Sequence, residues 1–271
     1  MVDLSLLAPA PVLYFAIGAL AVLAVAISKA GFGGALGSLS MPILLLIYSP
    51  TLALGILLPL FIIIDIWVVW VWRHSGVKRI IFIMTLAGLL GQLLGWALLR
   101  IGVIDDKLLM LLIGLLALYT AFRYFAKLLY ANQSAKALRA VVRYYRNHVI
   151  KRAALWCSLS GFSSFVSLTG GIPAQVYLLP LGLPRQLFVS TMAWYLFFIN
   201  LAKIPFFTDL DFIDARTLTM SALLLPVVPA GIVIGRWLNH AMTDKIFYIV
   251  THAMLLLLGL QLVWRYFYGV I

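Results

Sequence analysis

The chain has 271 residues, of which 65% are hydrophobic and 10% charged, whereas a soluble domain is about half apolar and about a quarter charged. That balance excludes a water-soluble globular fold. One bilayer crossing takes about 20 apolar residues, so the length holds roughly ten membrane segments joined by short loops, with no room for a sizeable domain in water. The apolar runs are continuous rather than alternating, which argues against a β-barrel. The net charge of +12 comes from twenty Lys and Arg against eight acids. Because the cations cluster between apolar runs, they read as residues retained on the cytoplasmic side, and no nucleic-acid partner is expected. A single cysteine (Cys157), no Glu, and four scattered histidines (His74, His148, His240 and His252) leave no disulfide, thiolate metal site or zinc-protease helix. No cofactor or metal is expected.

In chain order, the first apolar runs are Val12–Ile27, Leu36–Ile47, Thr51–Trp72, Ile80–Ile101 and Leu108–Leu129. The N-terminus lacks the basic region of a signal peptide, so the first run is expected to stay in the mature protein. Residues 131–152 form a basic linker with Lys136, Arg139, Arg143, Arg146, Lys151 and Arg152. It reads as a cytoplasmic connector or an amphipathic helix on an anionic lipid surface. A second set follows at Ala153–Val166, Ile172–Leu181, Leu187–Phe207, Thr217–Leu238 and Ile246–Phe267.

The two sets look like copies. Ala30-Gly31-Phe32 recurs as Ser160-Gly161-Phe162, and Tyr48-Ser49-Pro50 has a counterpart in Gly182-Leu183-Pro184. Gly91 and Gly95 before Asp106-Lys107 correspond to Gly231 and Gly235 before Asp244-Lys245. Such duplication is the usual plan of secondary transporters. It predicts a first membrane repeat at 1–130 and a second at 153–271. Arg73, Lys78 and Arg79 mark a cytoplasmic loop, whereas the matching loop, Thr208–Arg216, has three acids and one base and reads as external. The repeats are therefore expected to be inverted, with both termini outside.

The runs at Leu36–Ile47 and Ile172–Leu181 are short, broken or re-entrant segments: at 1.5 Å per residue they cover about 15–18 Å of a core of about 30 Å. Glycines precede both, Gly31, Gly33 and Gly34 in the first copy and Gly170 and Gly171 in the second. Short Gly/Pro-interrupted segments at matching positions point to a transporter binding site. Helix breaks leave backbone groups that lipid cannot satisfy, and a half-helix N-terminus suits an anion. Ser38, Ser163, Ser164, Thr169 and Gln175 surround the breaks as candidate ligands, the alternative being that they satisfy local backbone groups. Lys29 and Lys203 are candidate anion counter-charges, since an ion within an apolar run is costly; both sit toward run ends, and snorkelling to the interface is the rival reading. Asp65 reads as a coupling residue or the partner of a buried lysine. The paired glycines Gly91/Gly95 and Gly231/Gly235 read as helix-contact faces.

With these residues in place, the chain resembles the TauE/SafE sulfite-exporter family, in the toluene-sulfonate-uptake permease group. The first motif is matched by Gly31, Gly33 and Gly34 through Pro42. The second is matched by Gly161, Ser163, Ser164, Gly170, Gly171 and Pro173, followed by Thr191 and Asn200. Differences fall at Phe165, Ser167 and Ile172, and Gly55–Leu57 lacks the hydroxyl expected in the first copy. The resemblance implies a carrier of sulfite, sulfonates or other small organic anions in a bacterial inner membrane, with Thr191 and Asn200 added to the site. The expected partners are a small anion, the bilayer, a coupling ion (H+ or Na+) and, compatibly, a second copy of the chain. The fold expected is an all-α polytopic membrane protein, one repeat rocking against the other, and not an enzyme. The competing readings are a passive anion channel and an intramembrane enzyme.

Overall fold

A computed structural model describes residues 11–34, 37, 40–44, 48–73, 75–101, 106–129 and 148–268. Ser38 and the greater part of the basic linker lie outside the described residues. Twelve α-helices are present among them. The first five are α1 (Pro11–Phe32), α2 (Ser40–Leu44), α3 (Pro50–Val71), α4 (Lys78–Ile101) and α5 (Asp106–Leu129). After the linker come α6 (Val149–Ser167), α7 (Gly171–Leu178), α8 (Arg185–Ala202), α9 (Ile204–Asp209), α10 (Ala215–Leu224), α11 (Val228–Ala241) and α12 (Asp244–Tyr268). The described residues contain no strand, as expected where a bilayer forces each backbone group to find its partner within its own segment.

Among the described residues, six segments are long and apolar enough to cross a membrane: Leu13–Phe32, Thr51–Val71, Lys78–Ile101, Arg185–Asp209, Ala215–Ala241 and Asp244–Tyr268. The chain is a multi-pass, all-α membrane protein. Its surface is the reverse of a soluble one. Phe82, Trp237 and Leu257 are two-thirds exposed or more, while Lys29, Asp65, Gln92, Asn200 and Lys203 are buried. Local chemistry sets the ends and kinks. Pro50 opens α3 after Ser49, and Asp214 and Thr217 form a reciprocal capping box at α10. Pro205 stands at the start of α9, after an interruption at Lys203. A proline lacks the N–H that a continuous helix requires.

The broadest packing joins α4 to α6, α1 to α11 and α5 to α12, followed by α3 to α8. Glycine makes the first three approaches close. A Cβ at Gly31 would lie 2.7 Å from the Gly235 carbonyl oxygen, and one at Gly235 would lie 2.5 Å from that of Ile27. A Cβ at Gly91 would collide with the Ser158 carbonyl, and one at Gly161 with the Gly88 carbonyl. In the third pair Gly114 and Gly259 meet reciprocally, each Cβ position about 3 Å from the other's carbonyl oxygen. Small residues let membrane helices gain van der Waals contact without a hydrophobic driving force between them. Gly91, Gly231 and Gly235 thus lie on contact faces, and Gly31 and Gly161 lie on the same faces.

Candidate functional site

The two glycine breaks end helices in similar ways. At the end of α1, Gly33 and Gly34 take left-handed conformations (φ 74° and 93°), and the Gly34 N–H returns to the Ser28 carbonyl at 3.0 Å. At the end of α6, Leu168 is left-handed (φ 57°), with its N–H on the Ser164 carbonyl at 3.2 Å and that of Thr169 on Ser163 at 3.4 Å. Such caps satisfy the last carbonyls of a helix and let the chain turn inside the protein. α7 then starts directly on α6. A Cβ at Gly170 would overlap Ser164 Cβ and lie 2.9 Å from Ser164 Oγ, while Ser160 Oγ donates to the Gly170 carbonyl at 2.6 Å. Gln175 ties the two breaks together: its Nε2 donates to the Phe32 carbonyl at the end of α1, at 2.7 Å.

Beside these breaks runs a continuous chain of buried polar groups. Lys29, in the last turn of α1, places Nζ 2.7 Å from Asp65 Oδ1 on α3, 3.4 Å from the Phe61 carbonyl and 4.2 Å above the Phe61 ring. The other oxygen of Asp65 accepts from Asn200 Nδ2 on α8 at 2.6 Å. The Asn200 Oδ1 accepts from Lys203 Nζ at 2.9 Å, and Lys203 donates onward to Ser164 Oγ on α6 at 2.7 Å. None of the five is more than 4% exposed. The ends of the Asn200 amide are fixed by its neighbours, since the carboxylate needs a donor and the ammonium an acceptor. Lys203 sits at the junction of α8 and α9, with helical backbone angles (φ −76°, ψ −23°), and its side chain reaches α6.

The structure therefore brings Lys29, Asp65, Ser164, Asn200 and Lys203 into one network, with Gly170 beside its Ser164 end. Other expected ligands serve the backbone. Ser163 Oγ donates to the Ser160 carbonyl at 3.3 Å, and the Thr169 hydroxyl reaches the Ser163 carbonyl at 3.5 Å while pairing with Ser167 Oγ at 2.9 Å. Thr191 lies farther off, where its Oγ1 accepts from the Val77 N–H at 3.1 Å and anchors the loop between α3 and α4. Three contacts escaped the sequence reading: the Asn200 bridge between Asp65 and Lys203, the Phe61 ring under Lys29, and Tyr195, whose hydroxyl donates to Ser160 at 2.8 Å. One signal for the bridge was present, since Asp65 follows Ile56 at the spacing by which Asn200 follows Thr191. No group of three His, Cys, Asp or Glu able to hold a metal occurs among the described residues.

The arrangement buries two lysines and one aspartate beside the start of a half-helix. Residues 17–262 match the model of a family described as Sulfite exporter TauE/SafE. No curated protein and no solved structure gives a significant match.

Proposed function

The chain belongs to the TauE/SafE sulfite exporter family, and from that premise we propose that it is a secondary carrier of small anions, sulfite and organic sulfonates being the substrate class. The observation that carries this reading is the charge imbalance of the buried chain. Lys29 and Lys203 share Asp65, the one buried acid among the described residues. Two ammonium groups against one carboxylate leave a formal +1, and an uncompensated buried charge costs several kcal/mol. A bound monovalent anion removes that cost. Ser164 and the start of α7 stand at the Lys203 end of the chain, and a hydroxyl, an ammonium and helix N–H groups are donors that suit an oxyanion.

Ten membrane segments in two inverted repeats complete the proposal. Supporting it, the helix contacts keep their pattern when the halves are exchanged: α1 with α11 becomes α6 with α4, while α5 with α12 and α3 with α8 map onto themselves. Transport proceeds by alternating access in a bacterial inner membrane, between units in which helices of one half stay packed on helices of the other. Asp65 is the group to which a coupling cation goes, since a proton there would release both Lys29 and Asn200.

Saturable flux of sulfite and of a sulfonate into proteoliposomes tests the reading. Lys203→Gln should raise the half-saturation concentration about 10- to 150-fold, the worth of one charged hydrogen bond of about 1.5–3 kcal/mol. Unchanged flux in a folded Lys203→Gln variant removes the site, and absence of any anion flux in the wild type removes the function.

A further inference from the structure

A cavity of about 540 Å³ lies apart from the charge chain, lined by Arg73, Ser75, Gly76 and Lys78 at one end and by Ile81, Phe82, Thr85, Trp194 and Phe198 along its length. We propose that it seats one anionic phospholipid, the phosphate between Arg73 and Lys78 and an acyl chain in the groove between α4 and α8.

Three observations converge on that occupant. The polar and charged mouth is confined to one end. Both cations there are exposed, whereas the rest of the lining is apolar or aromatic apart from Thr85. A free inorganic anion has no use for such a groove. Second, the groove opens outward: Phe82 is 70% and Phe198 37% exposed on segments that cross the membrane, so its open side faces acyl chains rather than water. From Lys78 to Thr85 it follows α4 for about 10 Å. Third, the mouth is held in place. Ser190 Oγ donates to the Trp72 carbonyl at 2.9 Å and also contacts the Ser75 carbonyl. Thr191 takes the Val77 N–H, and Gly76 bends the loop at φ 122° directly over Ser190 and Trp194. A basic mouth held in position between two membrane helices is the arrangement that binds anionic headgroups, and its prior ordering lowers the cost of binding. It gives Ser190 and Thr191 a task separate from the transported anion.

The test uses the full-length protein in nanodiscs of phosphatidylcholine with or without phosphatidylglycerol. Phosphatidylglycerol retained after detergent exchange is read by native mass spectrometry. Each basic residue near the surface is worth about a fivefold change in affinity, so Arg73→Gln with Lys78→Gln should weaken retention about thirtyfold. Thr85→Trp, which fills the groove and leaves both charges, should also abolish retention, while Lys245→Gln should not alter it. Wild-type protein bearing a phosphatidylglycerol with a photoactivatable acyl chain provides a second readout that needs no variant. Labels should concentrate at 81–85 and 194–198. Equal retention in all variants overturns the proposal, as does the same loss in Lys245→Gln. Loss with the charge variant alone, together with displacement by inorganic phosphate, assigns the mouth to a free anion and overturns the lipid. Labels scattered over the exposed helix faces also overturn it.

Discussion

Breaking the Lys29–Asp65 pair should cost more than the pair itself is worth. At 2.7 Å and an effective dielectric constant of about 20, the Coulomb attraction is about 6 kcal/mol, and desolvation of both ions offsets much of it. Asp65→Asn keeps the shape and an oxygen for Asn200 but leaves two buried ammonium groups facing no carboxylate. Removing one member of a buried pair typically costs about 3–5 kcal/mol, and that loss is expected here. Lys29→Met leaves Asp65 with Asn200 alone and should cost a similar amount. In the double variant neither uncompensated ion of that pair remains, so its loss should fall short of the sum of the single losses by about 3–5 kcal/mol. Reversible unfolding in mixed micelles, run as a double-mutant cycle, reads this coupling directly. Losses that add to within about 0.5 kcal/mol would refute the pairing and, with it, the charge count on which the carrier site rests.

The exposed pair provides a contrast: Arg185 Nη1 lies 3.2 Å from Asp244 with the carboxylate half exposed. Arg185→Gln should therefore change stability by about 1 kcal/mol or less and lose even that in high salt, as measured in the same micelles. Gly91→Ala and Gly161→Ala each drive a methyl into a backbone carbonyl of the α4–α6 contact. Overpacking of this kind costs about 1–3 kcal/mol or more, so both variants should yield less folded protein by size-exclusion fluorescence. At the capping box, hydrogen bonds from Thr217 hold the Asp214 carboxyl below the usual carboxylate range. Asp214→Ala should cost about 1 kcal/mol at neutral pH. Because the folded-state value is depressed, the wild-type advantage is complete above the ordinary carboxylate value and disappears as pH falls through the lower folded one. Unfolding of both proteins across the acid range checks the sign. Ser190→Ala should loosen the α3–α4 loop by about 1 kcal/mol, seen as faster amide exchange at 75–77.

What the sequence revealed was what leaves a local trace. An interrupted apolar run declares itself by its length, and Gly91 with Gly95 or Gly231 with Gly235 falls on one helix face by spacing alone. The charges at Lys29, Asp65 and Lys203 were conspicuous because an apolar run makes any charge costly. Which of them would meet was not legible. Asp65 is joined to Asn200 across 135 positions, and a pattern read along one segment cannot supply a contact between two. The hydroxyls are ambiguous for a related reason. Ser163 and Thr191 have the chemistry of an anion ligand, yet a buried hydroxyl also serves a nearby backbone group, and only the fold decides between the two uses. Gly31 shows the same ambiguity: next to a break it suggests an opened helix, but the approach of Gly235 supplies a sufficient reason for it.

The packing also bears on what can move. Backbone-to-backbone glycine contacts join α1 to α11, α4 to α6 and α5 to α12, so the halves of the chain are locked together through three helix pairs. A rocking motion of one sequence half would have to open all three contacts, with the loss of close van der Waals packing along them. Units built from the cross-half pairs keep those contacts intact. Among the described residues, the direct hydrogen bond joining α3 to α8 in the charge chain is the one from Asn200 to Asp65. A hydrogen bond to a charged group contributes about 1.5–3 kcal/mol, small enough for an anion at Lys203 or a proton at Asp65 to tip the balance between two arrangements. Under the proposed mechanism, substrate and coupling ion therefore act on the same link from opposite ends, and neither needs to disturb the glycine interfaces.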